Sequence, residues 1–439
     1  MLKAGEVRLT RKRPPYHSAM IPGTSSFSRL HVGWASNTTQ KAQGRKIMNI
    51  ERVYFWVGLT VQQPFNTGVQ RVARCLAVAL QNQGIEIIPV KWDPGLRAMV
   101  PISQSEADHF AKWGGPRIAP AIKLPETLAD EWLIIPEITP MLNAVGVGKS
   151  LGMHVAKIFY DMIPLKTPEF YEASTFRWLE DYWSTFAAAD VVLPISNTVK
   201  FDLINWLLER RRRVPFTQPS LLSGELPNIP RVTTRKRARP PERPFRLLAT
   251  GSWEPRKNYP RMIRAVEAAR KSTGQDIRLT IVGRSMDVEY PALQSEIRGL
   301  VSRLGGQALE LHDYMSDPDM NHLFETTQAT IFGSWVEGFG LPVLESLWRG
   351  LPCICHNGSA LAEIAPGGGT LMVDMENEEA IADAIARLAS NEALFERLSG
   401  ESLVRPLRTW SDYGKDVLDA LQRAEIISPL VDYDPLHSQ

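Results

Sequence analysis

The chain has 439 residues, 44% of them hydrophobic and 22% charged, with a formal net charge of +2. This length exceeds what one hydrophobic core usually serves, so two domains are expected. No stretch reaches the roughly 18 to 20 uninterrupted apolar residues of a membrane-spanning helix, and no apolar segment follows the basic N-terminus as in a secretory signal. Three cysteines are too few for a disulfide framework. We therefore expect a cytoplasmic protein.

Residues 1–47 differ in composition from the rest of the chain. They carry nine Lys or Arg against one acidic residue, Glu6, so the remainder has a net charge of about −6. The segment has no apolar period of 2 or 3.6, which predicts a disordered basic extension. Met48, just before the first strand-like run, is an alternative start. Because the body of the chain is not strongly basic, we do not expect nucleic-acid binding.

Strand-like and helix-like segments alternate along the predicted first domain, residues 48–230, which indicates a parallel sheet with helices on both faces. The predicted elements are a helix over 67–83 and strands over 49–58, 85–92, 132–136 and 155–160. A later helix ends at the basic run 210–213. Its expected core residues are Phe201, Leu203, Ile204, Trp206 and Leu207. The segment 231–244 is rich in basic residues and proline, which predicts an interdomain linker.

A second alternating set follows in the predicted second domain, residues 245–409. Strands are predicted over 245–250, 279–282, 308–311, 329–332, 352–355 and 370–373. Helices are predicted over 259–271, 291–304, 318–325, 342–349 and 378–389. A last helix, within residues 410–427, is expected to pack back on the first domain. The predicted fold class is thus α/β, with two tandem doubly wound Rossmann-like domains.

Two segments that follow strands of the second domain carry candidate chemistry, since ligands of parallel sheets bind beyond the carboxyl ends of the strands. Gly251 to Asn258 places Arg256 and Lys257 at the start of a helix, where an anion gains from both the cations and the free N–H groups. A surface turn with solvated charges is the open alternative. In the segment from Glu337 to Glu345, glycines allow close approach of a ligand, and the two carboxylates suit the hydroxyls of a sugar and a ribose.

The sequence Glu-Gly-Phe-Gly-Leu-Pro-Val-Leu-Glu at 337–345 resembles the signature of family 4 retaining glycosyltransferases, which have the GT-B fold of two domains facing across a cleft. Further matches in the same order are Glu254 to Asn258, Ile281 to Gly283, Leu311 to Ser316 and Arg349 to Pro352. In the first domain the resemblance is weaker. There, Thr67 to Val72 and Tyr160 to Leu165 are similar to a bacterial subset acting on mannose or rhamnose in surface polysaccharide synthesis.

The resemblance implies that the second domain holds a nucleotide-diphosphate sugar. Arg256 and Lys257 would neutralise the diphosphate, and Glu345 would accept hydrogen bonds from the ribose. Glu337 and the backbone of 338–340 would hold the sugar. The implied donor contacts also include Gly251, Gly283, Tyr314, Met315, Gly338, Phe339, Gly340 and Leu341. Asp313 stands where the family often has glycine, a departure that bears on the contacts to the base near Tyr314.

On the acceptor side the resemblance implies Thr67, Gly68, Arg71 and Tyr160. The implied catalytic residues are Arg256, Lys257, Glu337, Tyr160 and Asp161. The family commonly has a His-Asp pair where this chain has Tyr160 and Asp161. The tyrosine hydroxyl either substitutes for the imidazole or caps the edge of the sheet, and both readings stay open.

The implied reaction moves a hexose or deoxyhexose to a glycan or lipid-linked acceptor with retention of configuration, as in lipopolysaccharide or exopolysaccharide synthesis. The leaving diphosphate takes the acceptor proton, and the cations and helix dipoles do the work of a metal, so no metal or other cofactor is expected. Peripheral contact of the basic run 210–213 with anionic lipid is an alternative to simple helix termination.

Other functions fit the sequence less well. An oxidoreductase would need a Gly-x-Gly-x-x-Gly motif after an early strand, and none is present. A catalytically silent binding subunit would have no need of Lys257, Glu337 and Glu345 together. Cys353, Cys355 and His356 could suggest a metal site, but their spacing in an apolar strand predicts core residues instead.

Overall fold

The computed structural model describes residues 50–139, 142–234, 244–306 and 308–427. The predicted basic extension, Met48 and most of the predicted linker lie outside these ranges. The described chain folds into two α/β domains, each built on its own sheet, in agreement with the predicted fold class.

The first sheet, within the described residues, has seven strands in the order β3-β2-β1-β4-β5-β6-β7. They are β1 (Arg52–Trp56), β2 (Glu86–Asp93), β3 (Ala98–Pro101), β4 (Trp132–Ile135), β5 (His154–Phe159), β6 (Val191–Pro194) and β7 (Phe216–Thr217). The helices of this part are α1 (Gly68–Gln81), α2 (Gln104–Phe110), α3 (Ala144–Ser150), α4 (Ile163–Lys166), α5 (Ala173–Ser184) and α6 (Asn197–Glu209). All strand pairs are parallel except β2 with β3. The short strands β3, β6 and β7 were not predicted.

The second sheet, in the described part of the chain, has six parallel strands in the order β10-β9-β8-β11-β12-β13. They are β8 (Phe245–Thr250), β9 (Ile277–Val282), β10 (Leu309–His312), β11 (Ala329–Phe332), β12 (Cys353–His356) and β13 (Thr370–Val373). The helices that follow are α7 (Tyr259–Thr273), α8 (Pro291–Leu304), α9 (Asp317–Thr326), α10 (Leu341–Trp348), α11 (Leu361–Ile364), α12 (Glu378–Ser390), α13 (Glu392–Val404) and α14 (Trp410–Ile427). β8 and β11 are the two central strands of this sheet. The residues that follow them therefore lie near the middle of the side formed by the carboxyl ends of the strands.

The central strands of both sheets are apolar on both faces, because helices cover each sheet on both sides. Every residue of β4, β6, β11 and β12 is buried. Cys353 and Cys355 alternate along β12 as buried core residues, as predicted. The alternation of such runs with amphipathic helices is the pattern from which the fold class was predicted.

Helix α14 packs on the first domain, although it follows the second domain in sequence. Tyr413 and Val417 are fully buried there. The Trp410 indole donates to the carbonyl of Glu225 at 2.9 Å, and the Trp132 indole donates to the Glu425 carboxylate at 2.8 Å. The helix thus ties the end of the described chain to the first domain.

An apolar core continues from the first domain into the second. Phe339, Val343 and Leu347 belong to the same buried cluster as the strands of the first sheet. Gly224, in the segment after β7, lies so close to Leu344 of α10 that a Cβ atom would come within 2.8 Å of the Leu344 carbonyl carbon. The two domains are therefore in direct apolar contact on one side of the site described below.

Helix α6 corrects one expectation about the core. Leu203, Trp206 and Leu207 are buried as expected, but Phe201 is 58% exposed. Leu208, seven residues after Phe201 and therefore on the same side of the helix, is equally exposed. The apolar positions of α6 cover two faces, and the sequence did not indicate which face meets the sheet.

The close approach at Gly224 predicts a specific stability effect. Gly224→Ala should lower the free energy of unfolding by about 1 to 3 kcal/mol, because the methyl group overpacks the domain contact. Gly299→Ala is the matched control, since Gly299 lies in α8 with open space around it and alanine favours a helix. Chemical denaturation of the two variants checks this. Equal stability of both variants would contradict the contact.

Candidate active site

The turn after β8 is built by residues with unusual backbone conformations. Gly251 has φ of +133°, and Asn258 adopts the left-handed conformation, which asparagine tolerates better than most residues, just before α7. Gly283, after β9, packs directly on this turn: a Cβ atom there would lie 3.2 Å from the Cα of Gly251. The two predicted donor-site glycines therefore allow neighbouring strand ends to touch, which sets the path of the chain through Pro255–Lys257.

Arg256 and Lys257 converge on one carboxylate. Arg256 Nη1 lies 2.5 Å and Lys257 Nζ 2.7 Å from the same oxygen, Oε1 of Glu337. Arg256 Nε also contacts Oε2 of Glu254 at 2.9 Å. The Glu337 side chain is only 12% exposed. Thus the cations from the β8 turn and the carboxylate from the β11 loop, which the sequence assigned to one ligand, lie together and are largely buried. We call Glu254, Arg256, Lys257 and Glu337 the ion cluster.

The two cations of the ion cluster favour the charged form of Glu337 in spite of its burial. Burial alone would raise the pKa of Glu337, but Arg256 and then Lys257 lower it to about 2. Burial lowers the pKa of Lys257, and the charge of Arg256 lowers it further, whereas Glu337 acts in the opposite sense. With two cations and two carboxylates, the ion cluster has no net charge. A diphosphate can therefore bind these cations only by sharing them with, or taking them from, the carboxylates.

The loop after Glu337 brings the second domain against the first. A Cβ atom on Gly338 would lie 3.0 Å from Cβ of Asp161, and the Gly338 carbonyl accepts a hydrogen bond from Ser196 Oγ at 2.8 Å. Gly340 has φ of +115°, a conformation that favours glycine, and directly precedes α10 at Leu341. Phe339 is buried in the interdomain core. The predicted sugar-binding backbone is thus adjacent to the predicted Tyr160-Asp161 turn.

Glu345 pairs with the first domain. It lies in α10, and its carboxylate forms a short ion pair with Arg71 of α1. Gly68, at the start of α1, packs near Leu341. Thr67 caps this helix through a reciprocal pairing with Gln70. Arg71 was predicted on the acceptor side and Glu345 on the ribose, but the structure joins them to each other across the two domains.

Tyr160 and Asp161 follow β5 and have different partners. The Tyr160 hydroxyl is buried and donates to the carbonyl of Pro136 at 2.6 Å. This contact favours the reading of Tyr160 as a cap at the sheet edge over its substitution for a catalytic histidine. Asp161 Oδ1 accepts from the Ile163 amide at 3.0 Å. Burial raises the pKa of Asp161, and the positive charge of Arg256 acts in the opposite direction.

The predicted base contacts lie apart from this buried group. Tyr314 is 81% exposed in the segment between β10 and α9, and Met315 beside it is half-buried. The structure therefore does not bring these two side chains into the ion cluster, and their role toward a base stays a prediction.

Three polar residues of the interdomain region were missed in the sequence. Glu137, which follows β4, is buried and accepts from the Leu59 amide at 2.9 Å in the loop after β1; burial raises its pKa to about 7. Ser196, which follows β6, donates to the Gly338 carbonyl. Glu363 of α11 accepts from the amides of 197 and 198 at the start of α6. Position directly after a strand, the criterion used for Arg256, would have found Glu137, whereas β6, which precedes Ser196, was not predicted.

His356, which the sequence raised as a possible metal ligand, has a structural partner. His356 Nδ1 lies 3.1 Å from the amide of Met375, which donates to it. Within the described ranges, no cluster of three or more His, Cys, Asp or Glu side chains is arranged to hold a metal ion. None of the described helices has the length and apolar character that crossing a membrane requires.

Comparison with known families finds a match for the second domain. Residues 231–402 match the family model described as glycosyl transferases group 1. This segment is a glycosyl transferases group 1 domain. It contains all the described strands of the second sheet, the ion cluster and Glu345, so the resemblance seen in the sequence is confirmed for this segment.

Relatives extend the similarity into the first domain. The chain is 25% identical over 367 residues to the serotype-specific mannosyltransferase WbdA of Escherichia coli, covering 79% of this chain but 42% of that protein. It is 23% identical over 274 residues to the O-antigen chain mannosyltransferase B of Escherichia coli, covering 60% of this chain and 68% of that protein. The chain thus spans less than half the length of WbdA.

A solved structure with a similar fold is the sucrose-phosphate synthase of Thermosynechococcus elongatus. It matches with a TM-score of 0.56 and 16% identity, covering 87% of this chain and 99% of that one. At this identity the likeness shows the fold alone. The two Rossmann-like domains have the GT-B arrangement, as predicted.

The buried ion cluster predicts a pH-dependent stability. The folded pKa of Glu337, about 2, lies below its ordinary value of 4.5, so this group stabilises the fold above pH 4.5 and loses that contribution as the pH falls toward 2. Glu337→Gln should therefore lower the free energy of unfolding by roughly 3 kcal/mol at pH 7, and less as the pH falls below 4.5. Urea unfolding from pH 7 to pH 3 checks this.

The exposed Glu379→Gln variant is the control for the loss of one negative charge, and it should show no such pH-dependent difference. A constant gap between wild type and Glu337→Gln over the whole pH range would contradict the depressed pKa of Glu337.

Proposed function

We propose that the protein is a retaining glycosyltransferase that moves a hexose or deoxyhexose, of the mannose or rhamnose type, from a nucleotide-diphosphate sugar to a glycan or lipid-linked acceptor. The observation that carries the proposal is the convergence of Arg256 and Lys257 on Glu337 between the two domains. A sugar diphosphate has an anionic end that suits the cations and a hydroxyl-rich end that suits the carboxylate. The relatives named as mannosyltransferases support a hexosyl donor and O-antigen synthesis.

The proposed reaction needs no protein nucleophile. The bond between the sugar C1 and the diphosphate oxygen breaks, the acceptor oxygen bonds to C1 on the same face, and the acceptor proton passes to the departing diphosphate. Arg256 and Lys257 stabilise the negative charge that grows on this leaving group. Glu337 stabilises the sugar as it becomes positively charged. Because two side-chain cations already serve the leaving group, the proposal requires no metal.

Peripheral contact with the inner face of the membrane stays a prediction, as does the cytoplasmic compartment. The exposed Phe201 and Leu208 on α6, close in sequence to the exposed Arg211 and Arg212, support it, since apolar side chains beside basic ones suit an anionic lipid surface. A silent binding subunit is the alternative function, and the first experiment below separates it from an enzyme.

Slow donor hydrolysis tests the proposed activity. Incubated with a panel of nucleotide-diphosphate hexoses without acceptor, the protein should release free sugar from one donor. Lys257→Ala should slow this release at least tenfold, because a hydrogen bond between charged groups contributes about 1.5 to 3 kcal/mol. Exposed Lys271→Ala is the control for loss of a lysine. Binding of a donor without any release would favour the silent subunit.

Calorimetric titration with the free nucleoside diphosphate distinguishes the predicted roles of the two carboxylates. This ligand has the ribose of the donor but lacks the transferred hexose. Glu345→Gln should weaken binding about tenfold or more, because the ribose loses a charged acceptor. Glu337→Gln should not weaken it, because the two cations lose a competing carboxylate, yet its turnover should fall.

Thermal melts of both variants show whether either change simply unfolds the protein. Equal loss of nucleoside diphosphate affinity in the two variants would contradict this division of roles.

A further inference from the structure

A cavity of about 240 Å³ lies beside the ion cluster. Its walls come mainly from the turn after β5, from α4 and α5 of the first domain, and from the β8 turn of the second. Arg256 belongs both to this lining and to the ion cluster. The cavity therefore adjoins the region where the proposed donor would place its sugar. We call it the aromatic pocket, after its members Tyr171, Trp178, Tyr182 and Trp183.

The lining of the aromatic pocket suits a sugar ring. A pyranose has apolar C–H faces and polar hydroxyl edges, so it matches a site with aromatic walls and a few polar groups. Trp178 and Tyr171 are half-buried and hence accessible, whereas Tyr182 and Trp183 form the buried floor. Pockets for drug-sized ligands measure about 300 to 1,000 Å³, so this volume corresponds to a smaller group such as one monosaccharide.

An unsatisfied hydroxyl points to a polar ligand. Tyr182 is only 6% exposed, and its hydroxyl has no hydrogen-bond partner among the described residues. Its ring is held in place by Lys157, whose Nζ lies 4.2 Å from the ring centroid, and by Phe186. Burial, and then the negative charge of Asp161, raises the pKa of Tyr182, so the hydroxyl remains protonated. A buried hydroxyl without a partner destabilises the protein, and a ligand hydroxyl in the pocket can satisfy it.

The charges of the lining favour a neutral ligand. Its ionisable members are Asp161, Glu254 and Arg256, of which Arg256 is already paired with Glu254 and Glu337. An anionic sugar would meet two carboxylates and a cation that is not free. A neutral sugar would instead place a hydroxyl near Asp161, at the boundary with the Gly338 loop of the donor side.

We propose that the aromatic pocket is the acceptor subsite for the terminal ring of a neutral glycan, with the ring stacked on Trp178 and one hydroxyl bonded to Tyr182. This assignment rests on the proposed transferase function. It makes Tyr182 and Trp178 residues that select the acceptor and leaves the donor contacts to the second domain.

Tyr182→Phe tests the subsite with little risk to the fold, because it removes only the unsatisfied hydroxyl. With nucleoside diphosphate bound, methyl α-D-mannopyranoside is titrated and followed by saturation-transfer NMR, and mannose 6-phosphate serves as the anionic probe. The neutral glycoside should bind wild type, and Tyr182→Phe should weaken it about 3- to 10-fold. Trp178→Leu should weaken it at least as much. Mannose 6-phosphate should bind far more weakly.

Tyr54→Phe is the matched control. Tyr54 is also fully buried with an unpartnered hydroxyl, but it lies in β1, near Arg52 and Glu131, and does not line the pocket. It should leave glycoside binding unchanged, and all variants should retain nucleoside diphosphate affinity. If nucleoside diphosphate binds but the glycoside binds wild type and Tyr182→Phe equally, or neither, the subsite is overturned and the donor site stands. If wild type binds no nucleoside diphosphate, the proposed function falls and the subsite with it.

Discussion

The ion cluster is the interaction on which the site depends. Lys257 is buried and Arg256 largely buried in the turn after β8, a position that would be unstable for two like charges without a counter-ion. Glu337, from the loop after β11, supplies that counter-ion through a single oxygen. The pairing fixes the two strand ends relative to each other. It also places the cations at the surface that the second domain presents to the first.

The contact between the domains uses the same segments as the donor site. Glu345 of α10 pairs with Arg71 of α1, and Glu363 of α11 accepts from the amides at the start of α6, where a helix favours a negative charge. In this arrangement a ribose and Arg71 would share the Glu345 carboxylate. Under the proposed function, donor binding and the contact between the domains would therefore be linked through one side chain.

The sequence was sufficient for the local features and insufficient for the long-range ones. Strand patterns predicted the sheets, and Gly338 and Gly340 predicted a loop that a ligand can approach closely, because both features depend on neighbouring residues. The pairing of Arg71 with Glu345 joins positions 274 residues apart, so no pattern among neighbouring residues indicates it. The exposure of Phe201 and the bond from Tyr160 to Pro136 likewise depend on how elements meet. β3 is an antiparallel edge strand with one buried residue, so it lacks the buried apolar run by which other four-residue strands, such as β4 and β11, were recognised.

Under the proposed function, the formal charge balance of the ion cluster determines how a diphosphate would bind there. Its negative charges cannot simply add to a group of two cations and two carboxylates; they have to replace a carboxylate as the partner of Arg256 and Lys257. Glu337 is the partner that both cations share, so it is the one that we expect a diphosphate to release. A released Glu337 carboxylate is free to accept hydrogen bonds from sugar hydroxyls. This exchange of partners would reconcile two roles of Glu337, as the counter-ion of Arg256 and Lys257 in the structure and as the predicted ligand of the donor sugar.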